Sequence, residues 1–196
     1  MAALTRLMGL ALLASLVLLS ACAPRTGQTL LVQDTFDDAR NNWSVFQTQD
    51  ALAFIGDGRL NLVVRRPDAL AWSVLQGRSL ADFTLDVDAT PLAGPDDNDY
   101  GVLVRHVDDD NFYRLEISGD GYYNIQKRLK GKWHKLAADW TETAAIRKGK
   151  TANHLRVTCA GATLTFSVNG MQVAQIKDDA FARGEIGFLA GTLEQP

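Results

Sequence analysis

The sequence predicts an all-β domain in which two antiparallel sheets pack face to face. Three observations predict it. Apolar and polar residues alternate with period two in run after run; turn residues punctuate those runs at regular spacing; and no long amphipathic helical pattern intervenes. Phe83, Leu85, Val87 and Ala89 alternate with Thr84, Asp86 and Asp88. Tyr113, Leu115 and Ile117 alternate with Phe112, Arg114 and Glu116, and the habit returns at Leu155, Val157, Cys159 and at Leu164, Phe166, Val168. Each run has one apolar face, and such faces are buried by stacking one sheet on another.

The turns follow in chain order: Gly56-Asp57-Gly58, Gly94-Pro95-Asp96-Asp97, Gly119-Asp120-Gly121 and Lys130-Gly131-Lys132. Asn169-Gly170, set between two apolar-alternating runs, is the strongest hairpin signal, because a type I′ turn needs two residues that tolerate positive φ. Short turns are expected near Thr141–Ile146 and Asp178–Phe181, and a first strand near Leu30–Phe36.

The N-terminus reads as a targeting segment and is set aside from the fold. Leu7 to Ala21 is almost wholly apolar, 15 residues against the ~20 a membrane-spanning helix needs. It ends in Leu19-Ser20-Ala21-Cys22, the pattern of a lipobox. Residues 1–21 are thus read as a lipoprotein signal peptide, Cys22 as the lipidated residue, residues 22–28 as its short tether, and residues 29–196 as one domain. Two or three acyl chains on Cys22 give stable anchoring where one is marginal. This places the domain on the extracytoplasmic face of the cell membrane. Ala23 permits the outer membrane if the cell has two.

Composition narrows the partners. A formal charge of −3 with no basic patch argues against nucleic acid. With Cys22 lipidated, Cys159 has no disulfide partner and reads as a small buried apolar residue.

The runs Asp34-Thr-Phe-Asp-Asp, Asn42-Trp43, Ala81 to Asp88, Asn98 to Arg105, Asp110 to Ser118, Gly121-Tyr-Tyr, Trp133, Asn153 to Val157, Phe166 to Gly170 and Gly184 to Phe188 together resemble concanavalin A-like (LamG-type) jelly-roll domains. They are most similar to the lectin/glucanase-like domains of bacterial lipoproteins and to keto-disaccharide hydrolase-like domains. The resemblance covers roughly Thr29 to Thr192. It implies a jelly-roll sandwich and a carbohydrate or glycan ligand. It also implies a final strand beyond Gly-Phe-Leu-Ala, which the residues up to Pro196 do not supply. Calcium is common in this fold. Asp34, Asp37 and Asp38 are its candidate ligands by the resemblance alone, and otherwise no cofactor is implied.

Catalytic motifs are sparse. Retaining glucanases of this fold carry E-x-D-x-x-E on one strand, a spacing that sets two carboxylates across the bond. No such string occurs here. His106, His134 and His154 fall in different strands, and no nucleophile elbow or phosphate loop is present. The Asp-rich runs at Asp96–Asp99 and Asp108–Asn111 flank one strand, ~25 Å apart, and read as turns. The best candidate surface is the polar face of the central sheet: Asp86, Asp88, Arg105, Arg114, Glu116, Asn124, Gln126 and Arg128, with Phe112 and Tyr122 adding aromatic area. Trp43, Trp72, Trp133 and Trp140 are assigned to packing. The chain therefore reads as a membrane-anchored binding module for glycan. A protein-interaction or structural envelope module is the alternative. A glycoside-cleaving enzyme, using Asp86 and Asp88 or Glu116, ranks behind both.

Overall fold

The computed structural model describes residues 29–196; Cys22 and the predicted signal peptide lie outside them. The contacts divide the chain after Gln33, and the unit from Asp34 to Pro196 is the one described below. It contains fourteen strands and no helix among the described residues.

All named pairings are antiparallel, and three sheets result. The first joins β1 (Phe46–Gln47), β2 (Ala51–Gly56) and β3 (Arg59–Val64). The second has seven strands. It runs in the order β10 (Thr141–Glu142), β8 (Tyr122–Leu129), β7 (Asn111–Ser118), β6 (Asp99–Asp108), β14 (Glu185–Gly191) and β4 (Leu70–Val74), with β9 (Lys132–Lys135) also paired to β8. The third runs β13 (Met171–Lys177), β12 (Thr163–Val168), β11 (Asn153–Ala160), β5 (Phe83–Ala89). The all-β sandwich expected from the alternation is the fold observed.

The core lies between the second and third sheets. Leu155, Val157 and Cys159 of β11 and Leu164, Phe166 and Val168 of β12 face Val102, Val104, Tyr113, Leu115, Ile117 and Ile125 of the larger sheet, all of them buried. Each fully buried aliphatic or aromatic side chain contributes roughly 1.5–3 kcal/mol by leaving water. The hairpin turns have the predicted geometry. Asn169 (φ 50°) and Gly170 (φ 84°) both take positive φ, as do Asp57-Gly58 and Lys130-Gly131. Asn169 is also a tie. Its side chain donates to Ala145 O (2.8 Å) and Asn153 Oδ1 (2.7 Å) and accepts from His154 N (3.0 Å).

One expectation differs. Residues 30–36 form no strand: the Asp34 carboxylate accepts the Phe36 N–H at 2.7 Å, and Phe36 turns to φ 57°, which no strand continues. The third sheet ends at β5, whose second edge has no strand partner among the described residues.

Candidate functional site

Strand register places the site. Phe112, Arg114 and Glu116 on β7 stand opposite Arg128, Gln126 and Asn124 on β8. Asp99 on β6 stands opposite Ser118, and Gly101 opposite Glu116. Leu189 and Trp72 extend the same row across β14 and β4. All these side chains project from the face of the seven-stranded sheet that turns away from the core.

That face is hollow. Trp72 on β4 and Phe112 on β7 are separated by two intervening strands, about 14 Å on a flat sheet, yet their ring centroids lie 5.6 Å apart. Trp72 Nε1 also donates to Asp109 Oδ1 at 3.3 Å, beyond the end of β6. Glycine permits the bend. A Cβ at Gly187 would stand 2.6 Å from Ser73 O, and one at Gly101 would run into the Leu115 carbonyl.

An aromatic chain crosses the hollow. Phe112 contacts Trp72 on one side and Trp133 of β9 on the other (5.7 Å), and His106 stacks on it at 5.6 Å. Leu103, Leu189 and Val74 pack with Phe112 beneath. The guanidinium of Arg114 lies 4.2 Å from the Trp133 ring and that of Arg128 lies 5.4 Å from it, so both cations sit on one indole.

Beside this chain lies a polar cluster. Asn124 Nδ2 donates to Glu116 Oε1 at 3.1 Å, Arg114 Nη2 donates to Gln126 Oε1 at 2.9 Å, and Arg114 Nε stands 3.3 Å from Glu116 Oε2. Glu116 is fully buried. Burial, then the nearby Asp99 charge, push its carboxyl up to about 8 against the opposing pull of Arg114 and Asn124. Burial likewise raises Asp99, with Arg114 opposing.

Buried polar atoms in folded proteins almost always have hydrogen-bond partners. Here the exceptions among the described residues are Asp99 Oδ1, both ring nitrogens of His106, Asn124 Oδ1 and Arg128 Nε, together with Arg114 Nε and Glu116 Oε2, which are held only by their mutual ion pair. All of them lie on the hollow face. Fixed acceptors and donors beside aromatic rings suit a ligand that offers hydroxyls along one edge and C–H groups along another.

The structure thus gathers Arg114, Glu116, Asn124, Gln126 and Arg128, with half-buried Tyr122 at the end of the same row. It does not bring the other sequence candidates there. Asp86 and Asp88 belong to β5 and lie on the outer face of the third sheet, because β5 pairs with β11 and not with the central strands. Asp86 meets Arg156 Nε at 2.6 Å and His154 Nε2 at 3.0 Å, and Asp88 meets His154 Nδ1 at 2.8 Å. Arg105 turns into the interior. A bulge in β6 gives it φ 52°, and its guanidinium donates to the carbonyls of Ala81, Phe181 (2.9 Å) and Gly161 (2.7 Å).

The aspartates proposed for calcium do not converge. Asp34 accepts from Phe36 N, Asn41 Nδ2 and Trp43 Nε1, Asp37 accepts from Thr35, and Asp38 pairs with Arg40. Among the described residues no cluster of three His, Cys, Asp or Glu side chains is placed to hold a metal ion.

Sequence reasoning missed Asp99, His106, Trp72 and Trp133. An exposed tryptophan within the polar run Lys132-Trp-His-Lys135 was a usable signal. Asp99 was not legible, since it lies in an Asp-rich run that reads as a turn.

Comparison with known proteins supports the fold from outside. A carbohydrate-binding module, CBM66, from Bacillus subtilis superposes with a TM-score of 0.64 at 18% identity, over 77% of this chain and 88% of that one. A glycoside hydrolase family 16 endo-glucanase from Bacteroides ovatus gives 0.59 at 8% identity, over 84% and 87%. A Bacillus subtilis protein with a galectin-like fold gives 0.57 at 14%, over 76% and 83%. These likenesses establish a jelly-roll fold. No curated protein sequence matches the chain. A family model does match, over residues 32–191, and by it the chain belongs to the 3-keto-α-glucoside-1,2-lyase-like domain family.

Proposed function

We propose that the hollow face binds a carbohydrate and that the domain displays this face outside the cell, held to the membrane by lipid on Cys22. The observation that carries the reading is the confinement of the unpartnered buried polar atoms to one aromatic-lined surface. Gln126 would accept from sugar hydroxyls, the partly exposed Arg114 and Arg128 would give hydrogen bonds to ring and hydroxyl oxygens, the exposed Trp133 ring would meet the C–H face, and the buried Glu116, Asn124 and Phe112 would hold these groups in place from beneath. The carbohydrate-binding module and endo-glucanase that share the fold are consistent with it.

The test is thermal unfolding across a panel of sugars and glycans. A ligand at a hundred times its dissociation constant stabilises the native state by ~2.7 kcal/mol, which for a domain of this size raises Tm by roughly 5–10 °C. One sugar class producing that shift, and losing it in Arg114→Ala and Trp133→Ala, supports the reading. A shift that survives both substitutions removes the site. The anchor has its own test: Cys22→Ser abolishes acyl labelling and membrane retention, and retention without labelling would exclude a lipid anchor.

One observation favours a second reading, cleavage of the bound sugar. Glu116 keeps its proton near neutral pH beside Asp99, the state a general acid requires. Glycan turnover that vanishes in Glu116→Gln while binding persists would establish it. Binding without turnover in the native chain would set it aside.

A further inference from the structure

One buried titratable group on the hollow face has no part in the sugar contacts. His106 is 6% exposed, stacks on Phe112 and makes no hydrogen bond from either ring nitrogen. Its place follows from the register shift in β6. Glu185 of β14 stands opposite His106, and a Cβ on the adjoining Gly184 would run into the Arg105 main chain. The backbones are thus pressed together where the imidazole lies.

Two carboxylates flank the ring. Nε2 stands 3.5 Å from Asp109 Oδ1, and Nδ1 stands 3.8 Å from Glu185 Oε2. A neutral imidazole has one N–H and one lone pair. Whichever tautomer forms, one nitrogen turns its lone pair toward an oxygen, and both separations exceed hydrogen-bond length. An imidazolium instead has an N–H at each end, and each has a carboxylate to meet. Asp108 lies within electrostatic reach as well, its Oδ1 already taken by Asp110 N and Asn111 Nδ2. β7 brings the Phe112 ring, and the cations Arg114 and Arg128 are gathered on Trp133.

The flanking groups are tied to the aromatic chain. Asp109 Oδ1 accepts from Trp72 Nε1 at 3.3 Å, Trp72 touches Phe112, and Glu185 Oε1 accepts from Gly77 N at 2.6 Å. Drawing both carboxylates in to charge-assisted length, ~2.8 Å, moves them by roughly 0.7–1 Å and carries the Trp72–Phe112 contact with them.

We infer that His106 is a proton-operated positioning residue: its charged form draws Asp109 and Glu185 together across the ring and so fixes the Trp72–Phe112 floor of the hollow. Imidazole is the side chain that ordinarily changes charge between pH 5 and 8, so acid sets the floor and neutral pH slackens it. The consequence for binding rests on the carbohydrate reading. A floor already fixed costs less to order around a sugar, and affinity is higher in acid.

The experiment uses the full chain in detergent with nitrogen-15 in its four tryptophans. The indole N–H signals, with that of Trp72 identified by Trp72→Phe, are followed by NMR from pH 5 to 8 beside the His106 ring signals. The readings are repeated in Glu116→Gln, so that the carboxyl titrating near 8 on the same face does not contribute. The expected Trp72 signal titrates with His106, stays flat in His106→Gln, and no longer follows His106 in Asp109→Asn. Maltotriose binding by calorimetry should be about tenfold tighter near pH 5.5 than near pH 7.5, with no such ratio in His106→Gln. A flat Trp72 signal while His106 titrates would overturn the inference. So would a Trp72 titration that survives His106→Gln, or maltotriose binding that is equal at both pH values. A Trp72 signal that titrates with His106, without maltotriose binding at either pH, keeps the switch and counts against the carbohydrate reading alone.

Discussion

Replacing Arg105 by methionine should destabilise the domain without touching its ligand. The guanidinium is 1% exposed and makes four N–H···O contacts to three main-chain carbonyls, of which only Phe181 O is in fully buried surroundings. Methionine keeps most of the apolar stem and removes every donor. A buried acceptor left without a partner costs about 1–3 kcal/mol. Ala81 O and Gly161 O, being partly accessible, recover some of that from water. The expected loss is therefore about 2–4 kcal/mol, or roughly 5–15 °C in Tm for a domain of this size. Lysine should rescue only part, because a single ammonium cannot span three carbonyls that a planar fork reaches together. Urea denaturation followed by far-ultraviolet circular dichroism gives the numbers. A loss below about 1 kcal/mol, or a stable variant that no longer binds glycan, would refute the clamp and return Arg105 to the binding surface.

Three further outcomes follow from the same structure. The stability of the native chain should fall as pH rises from 4.5 to about 8, because the folded state holds the Glu116 proton that the unfolded state releases; Glu116→Gln should flatten that slope in denaturant titrations at successive pH values. His154 is raised by Asp88 and Asp86, so Asp88→Asn should lower its titration midpoint by NMR. The associated stability, present below the unfolded value of 6.5 and lost as pH rises through the folded one, stays under about 1 kcal/mol because the pair is largely exposed. The Cys159 thiol, buried and pushed up to about 12 by desolvation, should react with a disulfide reagent only when the domain unfolds; modification at the native rate of an exposed thiol would contradict its placement.

Much of this was legible in the sequence because strands announce themselves by period two and hairpins by Asn-Gly or Asp-Gly. Alternation shows that Asp86 and Arg114 both point away from a core, but it does not say which sheet each belongs to, and they lie on opposite sides of the sandwich. Arg105 was illegible for a different reason. Its strand is apolar at both parities, and the register shift between Val104 and Asp108, where β6 carries two more residues than β7, reverses the facing that counting assigns. Trp133 joined the site through the β8–β9 register, which sets it opposite Arg128, and Trp72 reached Phe112 through close backbone approaches at glycines; neither follows from a local pattern.

Asparagine followed by glycine is the pairing that ages fastest in flexible chains, since the glycine nitrogen can reach the side-chain carbonyl, close a succinimide and leave aspartate or isoaspartate behind. At Asn169-Gly170 the side-chain amide is held by Ala145, Asn153 and His154 while the backbone sits at φ 50°. Ring closure there first requires those three bonds to break and the hairpin end to swing free. Accumulation of isoaspartate at residue 169 is thus a slow chemical clock for opening of the β12–β13 turn, and it should run faster whenever Asn153 is removed.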